Sequence, residues 1–244
     1  MSASTNAGAS AGASAGADTD VVFNYPFNII YAGTKEHGIG YEGRLPWQGV
    51  AELSAAAKID MRVFRELTKG AAVIMGLTTA LSLPKGCLPG RTNYILTTKH
   101  DSTRAIGAAD LVRFGANNVQ TAALSAGLDA GLVMFAASIG ELNAVFAAHY
   151  TGQPIFVIGG EVVYMKFKQF PTLNCIYRTI LSTEQILPAD TYFTTINNRE
   201  CYYSKIRISD NLSFAIYSNS KTMLVDRKHY FDIIKKYTKA CPTE

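Results

Sequence analysis

Residues 37–68 constrain the fold of this 244-residue chain more than any other stretch, because they combine a shaped loop with an amphipathic helix. The loop contains Leu-Pro-Trp at residues 45–47, shortly after three glycines, a composition typical of a loop with a defined conformation. Farther along, Asp60, Phe64 and Leu67 fall at positions i, i+4 and i+7. This spacing predicts a helical stripe that mixes a carboxylate with apolar side chains.

A carboxylate on an apolar stripe needs a physical reason. Burial disfavours the ionised form of Asp60, so its pKa rises unless a cation or a hydrogen-bond donor compensates for the lost water. Proteins raise the pKa of a functional carboxyl group in this way. In the alternative interpretation the helix is rotated, and Asp60 lies on the solvent side with Lys58 and Arg62. The residues alone leave both interpretations open.

The composition is typical of a globular protein and argues against several other classes. A content of 48% hydrophobic and 17% charged residues suffices for one good-sized core. The net charge of +4 is scattered, so no nucleic-acid partner is predicted, and no apolar run approaches the ~18 residues of a membrane span. The cysteines show no C-x-x-C pair, so neither a metal site nor a disulfide framework is predicted. They are Cys87, Cys175, Cys201 and Cys241.

We interpret the chain as one domain with two tails. Residues 1–22 are rich in alanine, serine and glycine and cannot offset the entropy of ordering, so they are predicted to be disordered. They lack arginine and carry Asp18 and Asp20, unlike a mitochondrial transit peptide, so a cytoplasmic location is expected. Residues 23–220 form the predicted domain, and residues 221–244 a C-terminal helix or linker.

Two predicted strands run directly into glycine. Gly76 follows the strand at residues 71–75 and precedes Thr78 and Thr79 at a predicted helix start, where free N–H groups either bind a phosphate or are capped by hydroxyls. Gly159-Gly160 follows the strand at residues 155–158, and this pair either lets a cofactor approach the backbone or forms a tight turn. Further strands are predicted at residues 27–32, 91–96, 175–181, 190–193, 202–206 and 214–217.

Six motifs occur in the order and spacing found in one enzyme family. They are G-I-G-Y-E-G-R-L-P-W at 38–47, D-M-R-V-F-R-E-L-T at 60–68, A-V-I-M-G-x-T-T at 72–79, S-L-P at 82–84, L-P-G-R-x-N at 88–93 and I-F-V-I-G-G-x-x-x-Y at 155–164. Over residues 27–217 the chain therefore resembles dihydrofolate reductase. The resemblance implies a single α/β domain with a central, mostly parallel twisted β-sheet flanked by helices. Residues 99–153, with a helical pattern at 136–148, are interpreted as an insertion of unknown use.

The resemblance implies that dihydrofolate is reduced to tetrahydrofolate by hydride transfer from NADPH, with a proton delivered to N5. Asp60 would grip the pterin ring through paired N–H bonds, Trp47 would hold a water beside it, and Leu45 would close over the pocket. Arg91 would pair with a carboxylate of the folate glutamate. The implied substrate-binding residues are Ile30, Ala32, Asp60, Phe64, Leu88, Arg91, Ile158, Tyr164 and Thr179.

The implied cofactor-binding residues are Ala32, Ile39, Gly40, Gly76, Thr78, Thr79, Thr97, Gly159, Gly160 and Glu161, and no metal is implied. On this side the chain departs from the family, which carries basic residues where this chain has Leu77, Thr78 and Thr98. Glu161 adds a negative charge where pyrophosphate should bind. Lys85, Lys99 and His100 are the candidate replacements.

Three alternatives follow from that departure. The protein prefers a different nucleotide, such as NADH, or it is a reductase-like structural or binding subunit that has lost nucleotide binding. A related pyrimidine reductase is the third, and Arg91 discriminates against it, because a substrate without a glutamate tail has no use for this arginine.

The pattern at residues 226–236 predicts an amphipathic helix outside the core. This helix resembles the opening helix of thymidylate synthase, which in some protists is fused behind dihydrofolate reductase. A helix that docks on its own domain or on a partner is the alternative. We therefore expect either a monomer or part of a larger bifunctional or multi-subunit assembly.

Overall fold

A computed structural model describes residues 21–101, 103, 105–194, 202–218 and 225–238. The strands are β1 Phe27–Thr34, β2 Gly38–Gly40, β3 Ala72–Gly76, β4 Thr92–Leu96, β5 Val133–Ala136, β6 Ile155–Gly159, β7 Leu173–Leu181, β8 Thr191–Tyr192, β9 Tyr202–Ser209 and β10 Leu212–Ser218. The helices are α1 Ser54–Leu67, α2 Leu77–Ser82, α3 Ala108–Phe114, α4 Asn118–Asp129, α5 Ile139–His149, α6 Glu161–Phe167 and α7 Val225–Thr238. The disorder predicted for residues 1–22 falls outside the described residues, apart from residues 21 and 22.

Eight strands form one sheet in the order β5-β4-β3-β6-β1-β7-β10-β9. Strands β5 to β7 in this order pair in parallel, while β10 is antiparallel to both β7 and β9. The inner strands β3 and β6 are buried along nearly their whole length, as expected for parallel strands covered on both faces. The predicted α/β fold with a mostly parallel sheet is confirmed.

The topology brings distant parts of the sequence together at the centre of the sheet. Strand β1 lies between β6 and β7, although more than a hundred residues separate it from either. In an open parallel sheet, ligands bind beyond the carboxyl ends of the strands, at the point where the strand order reverses. The loops that follow β1, β3 and β6 are therefore the natural place for a site.

The stretch interpreted as an insertion, residues 99–153, has a structural use. Its second half supplies the edge strand β5 and helix α5, which confirms the helical pattern predicted at 136–148. Its first half supplies α3 and α4. The Gln120 side-chain amide on α4 donates to the carbonyls of Leu81 and Leu83 at 2.7 and 2.9 Å. This segment therefore holds the carboxyl end of α2, where the helix leaves backbone acceptors without partners.

The C-terminal helix α7 docks on its own domain, which is one of the two expected arrangements. Tyr230, Ile233 and Ile234 are buried in the apolar cluster that also contains Ile59 of α1. Our expectation of a helix outside the core was wrong, because these three side chains of α7 pack against α1 and the sheet. Cys87 is a free thiol and Cys175 is buried, whereas the other two cysteines lie outside the described residues.

Within the described ranges no helix is long and apolar enough to span a bilayer. The same ranges contain no group of three or more His, Cys, Asp or Glu side chains that could hold a metal ion.

Candidate active site

Helix α1 places Asp60 at the edge of its buried face. The helix buries Ala56, Ile59 and Val63 against the sheet, at i, i+3 and i+7. Asp60 follows Ile59 and keeps part of its surface accessible. The mixed stripe predicted through Asp60 therefore lies one position away from the most buried stripe of the helix.

The surroundings of Asp60 perturb its ionisation. Burial raises the pKa of Asp60 from 3.8 to about 6, and a hydrogen-bonding interaction with the Thr179 hydroxyl acts in the opposite direction. Lys58 and Arg62 are exposed on the solvent side of α1 and do not perturb this pKa. The interpretation that places Asp60 with these two cations is therefore wrong. Among the described residues the carboxyl group has no cationic partner.

Strands β1 and β7 place the groups that face Asp60. Ala32 and Thr179 are register partners in this parallel pair, so their side chains lie on the same face of the sheet. Ile30, 7% exposed, lies two residues before Ala32 and shares that face. The Tyr164 hydroxyl, on α6, donates to the backbone carbonyl of Ile30 at 2.9 Å. Ile30, Ala32 and Thr179 thus share the sheet face that α1 covers, and Thr179 interacts with Asp60. Tyr164 packs in the cluster that contains Tyr31 and reaches the Ile30 backbone from there.

Apolar side chains form the walls around them. Trp47, Phe64 and Ile158 pack in the same apolar cluster as Ile30 and Ala32. Leu88 belongs to the neighbouring cluster, which Ile158 also contacts. Leu45 differs from these wall residues because it is 49% exposed on the loop. Its predicted role in closing the pocket would require the loop to move.

Arg91 is buried rather than solvated, with 7% of its surface exposed. Its Nε donates to the Thr68 carbonyl and hydroxyl oxygens at 3.1 and 2.9 Å, and its two Nη atoms donate to the carbonyls of Pro89 and Arg65 at 2.9 and 3.2 Å. These bonds fix the guanidinium at the carboxyl end of α1. No carboxylate of the described chain pairs with it, and a guanidinium has five N–H groups, so donors remain for an anion.

The turns after β3 and β6 touch each other. A Cβ atom at Gly76 would lie 3.3 Å from Val163 Cγ2, and a Cβ atom at Gly160 would lie 3.2 Å from Thr79 Oγ1. Gly159 has a φ of 117°, which a residue with a side chain rarely adopts. Glycine is needed here because two backbone turns approach closely, so the tight-turn interpretation explains part of the motif.

The remaining predicted cofactor residues lie on loops around these turns. Gly76 caps α2 without any side-chain cap, so the Thr78 and Thr79 hydroxyls do not serve as N-caps. Ile39 and Gly40 lie on β2, which pairs with β8, and a Cβ at Gly40 would lie 3.1 Å from the Thr191 Cβ. This contact explains why a residue without a side chain stands at position 40.

Thr97 follows β4, and its hydroxyl accepts a bond from the Lys99 N–H at 3.2 Å. The residues that stand where the family has cations differ in their exposure to solvent. Leu77 is 7% exposed and belongs to the core, while Thr98, Lys99 and Glu161 are exposed.

Of the three candidate phosphate-binding residues, His100 already contacts a carboxylate. Its Nε2 lies 3.1 Å from Glu141 Oε1, and Glu141 Oε2 also accepts the Ala137 N–H. His100 is therefore poorly suited to bind a phosphate, whereas Lys85 and Lys99 are exposed and make no ion pair with a described residue.

A groove of about 690 Å³ lies on the solvent side of α1, between this helix and the loop at residues 45–51. Its walls include Leu45, Trp47 and Met61 together with the cations Lys58 and Arg65. Asp60 is not among its lining residues, so the groove is distinct from the setting of the acid.

Comparison with known proteins identifies the family. The family model for dihydrofolate reductase matches residues 26–211, which include every element from β1 to β9. The chain belongs to the dihydrofolate reductase family. A solved structure of dihydrofolate reductase from Enterococcus faecalis, complexed with NADP(H) and RAB-propyl, aligns with a TM-score of 0.54 and 20% identity. The alignment covers 81% of this chain and 98% of that one, which shows the shared fold.

Curated relatives include longer and shorter proteins of the family. Bifunctional dihydrofolate reductase-thymidylate synthase 2 of Arabidopsis thaliana is 28% identical over 180 residues, which cover 70% of this chain and 26% of that protein. Dihydrofolate reductase of Drosophila melanogaster is 27% identical over 172 residues, 70% of this chain and 80% of that protein. The chain thus spans about a quarter of the length of the bifunctional relative.

The sequence analysis missed two aromatic residues near Asp60. Tyr177 lies two residues before Thr179 on the same face of β7, and Tyr230 of α7 packs against it with ring centroids 4.9 Å apart. Strand alternation would have indicated Tyr177 once Thr179 was chosen. Tyr230 lies beyond the stretch that matches the family, and no local pattern links it to the acid.

Proposed function

We propose that this protein is a dihydrofolate reductase that uses NADPH. The observation that carries the proposal is the carboxyl group of Asp60, which has no cationic partner among the described residues and a pKa raised to about 6. It faces Thr179 and Ala32 on the central strands. Such an acid suits a ligand that offers paired N–H donors, as the amino group and ring nitrogen of a pterin do.

The residues around Asp60 would orient and shield the reacting ring. Ile30, Ala32, Phe64 and Ile158 belong to one apolar cluster, which would exclude water from a flat heterocycle bound against it. Ionised Asp60 would hold the ring by its N–H edge and raise its basicity, which favours protonation at N5. Arg91, fixed by backbone carbonyls, would receive a carboxylate of the glutamate tail. This uncompensated cation also favours a folate over the substrate of a pyrimidine reductase.

The turns after β3 and β6 fit a nucleotide. Gly76, Gly159 and Gly160 carry no side chains where these turns meet, so a nucleotide bound there would lie close to the backbone. NADPH would supply the hydride, and Thr78 and Thr79 would offer hydroxyls beside it. We propose Lys85 and Lys99 as the cations nearest in sequence to this side, because His100 pairs with Glu141.

The proposal is tested by NADPH oxidation in the presence of dihydrofolate, measured on the full chain. We expect activity in the natural protein and a loss of roughly 100-fold or more in Asp60→Asn. Asp129→Asn, an exposed aspartate at the end of α4, is the matched control and should be unchanged. Equal activity in Asp60→Asn, or no oxidation of NADPH or NADH by the natural protein, would refute the proposal. We confine it to the reductase reaction, because the chain matches about a quarter of its bifunctional relative.

A further inference from the structure

The segment that comprises α3 and α4, residues 108–129, packs against α2. Its buried side chains Leu111, Phe114 and Leu124 belong to one apolar cluster with Leu77 of α2. Leu77 is 7% exposed and stands where the family carries a cation. The α3–α4 segment therefore covers one face of α2, the helix that follows Gly76.

Gln120 of α4, which is 5% exposed, adds polar contacts with the end of α2. Its Nε2 donates to the Leu81 and Leu83 carbonyls at 2.7 and 2.9 Å. Its Oε1 accepts the Asn117 N–H at 3.0 Å, and Asn117 Oδ1 accepts the Gln120 N–H at 2.9 Å. A primary amide has two N–H donors, so both donors of Gln120 are used on the carbonyls at the end of α2.

A different face of α2 meets the turn after β6. Thr79 lies two residues after Leu77, so the two side chains point to different sides of the helix. A Cβ atom at Gly160 would lie 3.2 Å from Thr79 Oγ1. Helix α2 therefore lies between the α3–α4 segment and this turn, and a small shift of α2 would change the space between Thr79 and Gly160.

We infer that the α3–α4 segment sets the position of α2 for nucleotide binding, with Gln120 as the positioning residue. The inference rests on the proposed function, in which NADPH binds at the turns after β3 and β6. A binding site loses affinity when the contacts behind it allow its elements to shift. Without the Gln120 amide, two carbonyls lose their donor, so α2 opens more often and holds Thr79 less firmly beside Gly160.

The test compares Gln120→Met with the natural full chain, because methionine keeps the length of the side chain and removes both donors. Without ligand, hydrogen exchange should become roughly tenfold faster at the amides of α2 and at Leu83, whose N–H donates to the Ala80 carbonyl. Affinity for NADPH, measured by fluorescence titration, should fall roughly fivefold to tenfold. Affinity for a diaminopteridine, measured by calorimetry, should stay the same.

The matched control is Gln153→Met. This partly exposed glutamine precedes β6 at the amino ends of the strands, and it accepts from the Thr151 N–H and hydroxyl at 3.1 and 2.8 Å. We expect natural exchange in α2 and natural NADPH affinity in this variant. An equal loss of NADPH affinity in both variants would overturn the inference.

Unchanged exchange in α2 or unchanged NADPH affinity in Gln120→Met would also overturn it. So would a parallel loss of diaminopteridine affinity, because the effect would then reflect a general loss of stability. A second measurement needs no variant. Since coupling between two sites is reciprocal, NADPH should slow amide exchange at Gln120 and Leu83 in the natural protein, and unaltered exchange there would contradict the inference.

The binding measurements are independent of turnover. If the natural protein binds NADPH, and Gln120→Met weakens that binding as expected, the inference stands even where dihydrofolate is not reduced and the proposed function fails. If the natural protein reduces dihydrofolate and Gln120→Met binds NADPH normally, the proposed function stands and the inference fails.

Discussion

Replacing Asp60 by asparagine should stabilise the protein while it abolishes activity. The folded protein raises the pKa of this carboxyl group from 3.8 to about 6, chiefly through burial. The folded state therefore keeps its proton up to a higher pH than the unfolded chain does. Between about pH 4 and pH 6 the folded state binds more protons, so the free energy of unfolding falls as the pH rises.

The size of the effect follows from the shift. A difference of about two pKa units corresponds to about 3 kcal/mol of destabilisation, which is fully present above the folded pKa and absent below the unfolded pKa. Asparagine carries no charge at any of these pH values, and its carbonyl can still accept from the Thr179 hydroxyl. We therefore expect Asp60→Asn to be more stable than the natural protein by about 1–3 kcal/mol at about pH 8, and nearly equal below about pH 4.

Urea denaturation at about pH 4, pH 5 and pH 8 measures this difference. Trp47, the only tryptophan and 6% exposed, reports unfolding by its fluorescence. Other titrating groups are common to both proteins, so the difference between the two curves isolates Asp60. Asp129→Asn should follow the natural protein at every pH. A stability difference that does not grow between pH 4 and pH 8 would refute the raised pKa, and with it the buried-acid account.

Three further changes test other parts of the site. Arg91→Lys should raise the KM for dihydrofolate roughly tenfold with a smaller change in kcat, because lysine lacks the planar guanidinium that pairs with a carboxylate through two N–H groups. Steady-state kinetics measure both constants, and an unchanged KM would exclude Arg91 from the site. Gly160→Ala, at a φ of −80° that alanine tolerates, should weaken NADPH binding roughly tenfold, because the new Cβ would lie 3.2 Å from Thr79 Oγ1. Fluorescence titration measures the affinity for NADPH. An unaltered affinity would show that the turns after β3 and β6 do not border the nucleotide. Ile234→Ala should lower the free energy of unfolding by about 2–5 kcal/mol, whereas exposed Lys235→Ala should not; equal urea midpoints for the two would show that α7 does not belong to the core.

Sequence reasoning located the parts of the site that depend on local pattern. The helix with Asp60, the strands that end in Gly76 and Gly159, and the alternation that pairs Ile30 with Ala32 follow from spacing and glycine chemistry. Thr179 was chosen by resemblance, and the structure places it opposite Ala32 in register.

The rest depends on contacts between residues far apart in the chain, which no periodicity records. Gln120 was hidden in an alanine-rich segment, yet it binds the carbonyls at the end of α2. His100 was a candidate phosphate ligand until Glu141 was found beside it. Tyr230 was read as part of an outer helix, because the amphipathic pattern of α7 does not reveal which surface its apolar face covers.

The central claim is that Asp60, a buried carboxyl group without a cationic partner among the described residues, binds the N–H edge of a pterin. Calorimetric titration of the natural protein and of Asp60→Asn with a diaminopteridine, at about pH 7, tests it most directly. We expect the asparagine variant to bind roughly 100-fold or more weakly, since one partner of a desolvated charged pair is lost, while Asp129→Asn binds normally. Equal affinity of the natural protein and Asp60→Asn would contradict the account.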